Sequence, residues 1–312
     1  MDHTIFICTK NRSFYIRSVL EFYKKFEYKG NIIIGDDSDE NHFNENCKIV
    51  SKFNSFLKID HFAGIAREFA RRPYRVSQTI LENIKRIKTQ YFSSMGDDDY
   101  YFPNVIPDGI KFLNKNSDYA CYMNPEYKIL FNKDYKIIKF KETPWFKSEF
   151  SDPLERCVDY AIRPNIAWRG ICRSESLKKI FKISKFSNRK PFTRSSNFSF
   201  DFFDEELPWV FSVCASGKIF YEDKVLGTIR GEFDNPERIT NIVNKNVSGR
   251  HISGVIFNLS EHGSDIALNQ LHEDLCNVIK INNSKYSKEI ISSDVWSIIS
   301  KWCSKFESRF LN

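Results

Sequence analysis

The sequence predicts an α/β protein built on a mostly parallel β-sheet with helices on both faces. Three observations carry that prediction. Short apolar runs alternate with stretches of helical periodicity through the first half of the chain, and repeated βα units of this kind run their strands parallel. Polar clusters follow three of those runs: "TKNR", "GDDSDE" and "GDDDYY". They fall at the carboxyl ends of the strands, where ligands bind in such sheets. At 312 residues, 41% hydrophobic and 15% aromatic, the chain can bury a sizeable core.

The elements follow in order. "TIFICT" (Thr4 to Thr9) reads as a buried strand. Ile16, Val19, Leu20, Tyr23 and Phe26 then share one helical face. "NIIIGDD" is a second strand ending in acids, and "FLKIDHF" (Phe56 to Phe62) a third. Val76, Ile80, Ile84 and Ile87 line another helix, and "QYFSSM" is the next strand. Tyr127 to Phe140 reads as a β-hairpin around a short polar turn, "NIAWRGICR" as a strand, and "SESLKKIF" as a helix capped by Ser174 or Ser176. The polar stretch "SKFSNRKPFTRSSNFSF" reads as a mobile loop. Leu207, Val210, Phe211 and Cys214 mark a helix that tolerates Pro208 in its first turn and ends at Gly217. "KIFYEDKVLGTIR" returns as a strand or hairpin. From Glu232 onward the pattern is helical and polar, an extension that packs on the sheet or makes an oligomer or membrane contact.

Composition narrows the function classes. No apolar stretch approaches a membrane span, and "MDHTIFICTKNR" lacks the features of a secretory signal, so a cytoplasmic location is expected. Eight cysteines without a CxxC pair offer neither a disulfide framework nor a thiolate zinc site; reduced, buried thiols are expected. The net charge of +7 favours anionic partners, among them a nucleotide phosphate or an anionic membrane surface. Nucleic acid is not expected. No helix-turn-helix or aromatic-interleaved basic motif is present, and an acid-lined rim would repel a phosphate backbone.

One stretch poses a physical question. In "SSMGDDDYYFPN" three adjacent carboxylates, Asp97, Asp98 and Asp99, end what reads as a buried strand. Neighbouring carboxylates raise one another's pKa unless a cation or a set of donors compensates. A solvated loop or a helix cap is the plain alternative. Acids on random loops would not gather on one rim with two other polar clusters, however.

Taken in order, these motifs resemble those of bacterial family-2-type glycosyltransferases with the GT-A (Rossmann-like) fold. "TKNR" resembles that family's P-T-x-N-R start and "IIIGDDSDE" its V-V-D-D-G-S-T-D strand. "MGDDDYYFPN" resembles its D-x-D segment, although the strict motif has become an unbroken triplet. "RGICRSESL" resembles the G-x-x-x-R-R segment. "DEELPWVFSVCASGKIFYEDKVLGTIR" resembles the acceptor helix and returning strand, with Glu205-Glu206 in place of the usual Glu-Asp pair. The stretch "DPLERCVDY…IAWRGICRSESL" looks closest to a small branch found in capsule and lipopolysaccharide biosynthesis. The Gln/Arg-x-x-Arg-Trp motif of processive synthases is absent. The resemblance covers residues 4 to 230. It implies a glycosyltransferase domain over 1–231, with a nucleotide-binding half (1–123) and an acceptor half (124–231), and a helical extension over 232–312.

What the resemblance implies about chemistry can be stated by residue. Mg2+ or Mn2+ would offset the charge that develops on a leaving nucleotide diphosphate. Asp99 would be the direct ligand, with Asp97 or Asp98 completing the shell or touching the ribose. Thr9, Asn11 and Arg12 would line the nucleotide, and Asp36 or Asp37 would accept a hydrogen bond from its base or ribose. An inverting transferase needs a general base to deprotonate the acceptor hydroxyl. Glu206 falls where the family places that base, Glu205 stands just before it, and Asp204 competes because "FFDEE" also reads as the family's G-F-D-E turn. Arg75 and Arg230 are candidates for phosphate, Trp168 for stacking on a sugar, and His251 or His262 for a further metal ligand. The implied partners are a nucleotide-sugar donor, with a UDP-sugar favoured, and a glycan or lipid-linked glycan acceptor. The basic surface and helical tail suit peripheral docking on the inner face of the cytoplasmic membrane. A non-catalytic scaffold that binds nucleotide sugar or glycan is the alternative, and the intact acids argue against it.

Overall fold

The computed structural model describes residues 1–64, 84–131, 137–143, 147–162, 169–178 and 207–233. The chain opens with β1 (His3–Thr9), α1 (Ser13–Lys25), β2 (Asn31–Asp36), α2 (Glu40–Phe53) and β3 (Lys58–Ala63). It continues through β4 (Tyr91–Gly96), β5 (Asp99–Tyr101), α3 (Ile106–Lys115), β6 (Tyr119–Met123) and the β7 (Glu126–Phe131) and β8 (Ile137–Thr143) hairpin. Then come α4 (Pro153–Ile162), β9 (Ile171–Arg173), α5 (Ser174–Lys178), α6 (Leu207–Ser216), β10 (Lys218–Tyr221) and β11 (Thr228–Phe233).

The expected α/β architecture is there. A 7-stranded sheet has the order β10-β6-β9-β4-β1-β2-β3. Every neighbouring pair in it is parallel except the two that β9 makes with β4 and β6. A smaller 4-stranded sheet has the order β5-β11-β7-β8. "KIFYEDKVLGTIR" is therefore not a hairpin: β10 adds to the large sheet beside β6, and β11 crosses to the small one between β5 and β7. The helical extension expected from residue 232 lies, beyond Phe233, outside the described residues.

Apolar spacing explains the elements around the large sheet. Ile16, Val19, Leu20 and Tyr23 of α1 are buried against Ile5 and Ile7 of β1 and Ile32 and Ile34 of β2, with Ile49, Val50 and Phe53 of α2 in the same cluster. Each such side chain contributes on the order of 1.5–3 kcal/mol when taken out of water. Phe26 does not continue the α1 face. The helix stops at Lys25, Glu27 takes a φ of 50°, and Phe26 remains exposed with its ring against Phe22 and Phe102. Asp39 caps α2 by accepting the His42 N–H at 3.0 Å. Cys121, Cys157, Cys172 and Cys214 are buried thiols, and burial pushes the Cys157 thiol up to about 12. Among the described residues no helix is long and apolar enough to cross a membrane.

His3 shows what burial does to a titratable group at the base of this sheet. Its imidazole lies 2.8 Å from the Tyr28 hydroxyl and 3.0 Å from the Ser93 hydroxyl, and burial pushes it down to about 3 from an ordinary 6.5. The unfolded chain takes this proton near 6.5, whereas the folded chain refuses it until about 3. The stability His3 confers is thus fully present above 6.5 and is lost as pH falls toward 3. Between about pH 7 and about pH 5 the expected loss is about 2 kcal/mol. Urea unfolding checks this: the stability gap between wild type and His3→Gln should narrow by that amount over the interval.

Candidate functional site

The loop that leaves β1 joins the three polar clusters. Thr9, the last residue of the strand, donates from Oγ1 to Asp97 Oδ2 at 2.6 Å. Arg12 spreads its fork over two acids, with Nη1 2.7 Å from Asp97 Oδ1 and Nη2 2.6 Å from Asp98 Oδ2. Its guanidinium carbon stands 4.1 Å from the centre of the Tyr15 ring. Asn11 turns the loop with a φ of 53°, a left-handed conformation that asparagine tolerates better than most residues. Its N–H donates to Ser38 Oγ at 2.7 Å, and its Oδ1 accepts the Asp39 N–H at 2.8 Å. The loops after β1, β2 and β4 are thereby stitched into one rim.

The acids are not equivalent. Asp97 is buried, and burial pushes its carboxyl up to about 7. Arg12 pulls it back, Asp98 and Asp99 push it further, and the Thr9 hydroxyl favours the ionised form. Arg12 itself is raised, because Asp97 and Asp98 outweigh the effect of its burial. Asp98 keeps 24% of its side-chain surface in solvent, against 1% for Asp99. Asp99 Oδ2 accepts the Gly96 N–H at 3.0 Å and lies 2.8 Å from Nη1 of Arg169. That nitrogen also stands 3.5 Å from Oε2 of Glu126. Arg12 thus stands between Asp97 and Asp98, and Arg169 between Asp99 and Glu126.

Asp36 and Asp37 part company at the end of β2. Asp36 is fully buried and turned toward α2 and β3. Its Oδ1 accepts the Ser38 N–H at 2.9 Å, while Oδ2 meets Asn46 Nδ2 at 2.8 Å and His61 Nε2 at 2.9 Å. Burial works to raise it, but the hydrogen bonds from His61, Ser38 and Asn46 win and hold its carboxyl below the usual range. The Asp37 N–H donates to the Thr9 carbonyl at 2.9 Å, which ties β2 to the end of β1.

Other expected site residues separate cleanly. The backbone register sets Arg230 of β11 directly opposite Asp99 of β5. Arg75, Trp168, Asp204, Glu205 and Glu206, with His251 and His262, lie outside the described residues, although α6 begins at Leu207, the residue after Glu206. Arg169 and Glu126 are site residues that sequence reasoning missed. The signal was the arginine of "RGICR" (Arg169 to Arg173), which reads as part of a strand and of the stretch that resembles the G-x-x-x-R-R segment, with no site role attached to it.

The donor set suits a divalent cation in two respects: Asp99 Oδ1 is buried without a hydrogen-bond partner among the described residues, and the neighbouring Asp98 reaches solvent. No group of three or more ligating side chains among the described residues forms a protein shell. The fit is therefore to a cation that takes one or two carboxylates and completes its shell with phosphate and water.

Replacing Arg12 removes the cation shared by Asp97 and Asp98. In Arg12→Met the titration of Asp97, followed by carboxyl carbon chemical shifts, is expected to move further above 7. An unmoved titration would show that Arg12 does not control the pair.

No family model and no curated protein sequence matches the chain. Among solved structures it is similar to the crystal structure of S. aureus TarS 1–349, with a TM-score of 0.50 at 10% identity over 99% of this chain and 91% of that one. A longer S. aureus TarS structure matches at a TM-score of 0.48 and 12% identity over 99% of this chain and 55% of that one, so the chain spans about half its length. The 1–349 fragment in complex with UDP-GlcNAc gives a TM-score of 0.46 at 11% identity, over 99% and 91% of the two chains. At such identities what the chain shares with TarS 1–349 is the fold.

Proposed function

We propose that this chain is a nucleotide-sugar glycosyltransferase that moves a sugar, with inversion, from a UDP-sugar to a bacterial surface glycan, free or lipid-linked. One observation carries the reading. Three loops at the carboxyl ends of parallel strands are tied together by Thr9, Asn11 and Arg12 around three consecutive acids. They lie on the rim where this class of sheet binds ligands, and Asp99 Oδ1 is buried there without a hydrogen-bond partner among the described residues. The motif order of the family-2-type enzymes supports the same reading, as does the fold shared with TarS 1–349. That TarS fragment has been crystallised with UDP-GlcNAc and with UDP, which makes UDP the first nucleotide to test.

The residues divide the work. Asp98 and Asp99 would hold Mg2+ or Mn2+, which when bound supplies charge compensation for the departing diphosphate. Arg12, on the loop, is placed to exchange its carboxylate partners for a phosphate. Asp37 is assigned to the ribose or base, because Asp36 spends its acceptors inward. The acceptor hydroxyl attacks the anomeric carbon, the bond from that carbon to the diphosphate oxygen breaks, and the hydroxyl proton passes to a carboxylate. Glu206 is assigned that proton, with Glu205 and Asp204 as the neighbouring candidates. The basic chain and its C-terminal residues are assigned to peripheral contact with an anionic membrane that carries the acceptor.

Calorimetric titration of UDP, GDP, CMP and TDP, each with and without Mn2+, tests the donor site. UDP is expected to bind only with the metal, and Asp98→Asn or Asp99→Ala to weaken that binding by at least about tenfold. Binding of no nucleotide, or metal-independent binding untouched by both variants, would sink the reading. For the transfer step, Glu206→Gln should keep donor affinity and lower turnover by about 10²–10⁴-fold. Full turnover in Glu206→Gln with loss in Asp204→Asn would move the base two residues upstream.

A further inference from the structure

Arg169 owes its place to the one strand that runs against its neighbours in the large sheet. A strand inserted antiparallel between β4 and β6 begins where those two end. The register confirms the direction, with Cys172 of β9 opposite both Phe92 and Cys121 and Arg173 opposite Tyr91. Arg169, two residues before β9, is thus delivered to the carboxyl ends of β4 and β6, beside the acid triplet.

There it meets two acids of the small sheet. Asp99 opens β5 and Glu126 opens β7, on either side of β11. Nη1 of Arg169 lies 2.8 Å from Asp99 Oδ2 and 3.5 Å from Glu126 Oε2. The Gly96 N–H approaches the same Asp99 oxygen at 3.0 Å. Both donors therefore grip Oδ2, and Oδ1 is the oxygen left without a partner among the described residues. A carboxylate held by one oxygen from two directions is fixed in orientation. A buried carboxylate oxygen with no donor is costly, and a cation is the group that would relieve it.

We propose that Arg169 is a positioning residue for the cation site. It holds Asp99 by Oδ2 so that Oδ1 faces the metal, and Glu126 is its second anchor. The inference rests on the donor-site reading given above. It opposes a simpler role for Arg169 as a counter-charge, and the two roles differ in sign. Deleting a mere counter-charge removes the cation that competes for Asp99, so Mn2+ would bind more tightly. Deleting a positioning residue lets Asp99 turn, so Mn2+ binds more weakly.

The test is Mn2+ affinity, measured from the electron paramagnetic resonance signal of free Mn2+ with UDP present, on the full chain and its variants. Arg169→Met is expected to lower the affinity about 10–100-fold, with Arg169→Lys between it and wild type. Near-ultraviolet circular dichroism shows whether each variant keeps its packing. Should Arg169→Met fail to fold, Glu126→Gln takes its place, since it loosens one anchor and leaves the Asp99 contact. A smaller loss of affinity is expected there. Equal or tighter Mn2+ binding in a folded variant overturns the inference while leaving the donor site standing. A wild-type protein that binds neither UDP nor Mn2+ overturns the donor-site reading, and this inference with it.

Discussion

The rim depends on the pairing of three consecutive carboxylates with two arginines that arrive on separate segments of the chain. Arg12 comes on the loop that leaves β1 and takes Asp97 and Asp98; Arg169 comes on the approach to β9 and takes Asp99. The Arg169–Asp99 pair is buried on both sides; such a pair gives little net stability against its hydrophobic equivalent, yet removing one partner costs on the order of 3–5 kcal/mol. The effect of the pairing is therefore to forbid other arrangements. A loop placed elsewhere would strand a buried carboxylate, so the acids fix where both segments of chain must run. Asp97 records the tension, with its carboxyl pushed up to about 7 by burial even though Arg12 and Thr9 both favour the ionised form.

A second constraint separates residues that build the rim from those left to act on it. Asn11 and Asp36 sit at positions where a nucleotide contact is expected, and both make fixed contacts within the protein. Asn11 spends its N–H and its side-chain oxygen on the β2–α2 turn, and Asp36 spends its acceptors on Ser38, Asn46 and His61. Such fixed partners make the loops stiff. A binding surface assembled from stiff loops loses less ordering entropy when a ligand arrives. Arg12 and Asp98 are the partly exposed members of the cluster. They are the ones whose present partner is a side chain that a phosphate or a cation can replace.

Much of this was legible because local pattern and global fold agreed. The α1 face, strands β1, β2 and β4, and the β7–β8 hairpin follow from spacing that tertiary packing did not override. So does the meeting of the three clusters on one rim, which parallel strands enforce. What was not legible has a common cause. The buried residues of α2, Asn46, Ile49, Val50 and Phe53, begin only at Asn46, so its first turns carry no apolar periodicity. The three residues of β9 give no direction, and direction is what carries Arg169 to the site. The separate destinations of β10 and β11 are equally silent, since a six-residue connection serves a hairpin or a crossing between sheets alike.

That crossing explains why the acid cluster stands where two sheets meet. After β10 the chain leaves the large sheet, and β11 enters the small one between β5 and β7, pairing antiparallel with the first and parallel with the second. β5 is only three residues long and starts at Asp99 itself. A strand so short adds little pairing energy, so its position rests on what holds its ends. One end is held by the Phe102 N–H to the Gly227 carbonyl at 2.8 Å, the other by Asp99 in the grip of Arg169 and the Gly96 N–H. The carboxylate proposed to hold the cation is thus also an anchor of the small sheet. Any group that changes the charge on Asp99 acts on the seam between the sheets as well as on the site.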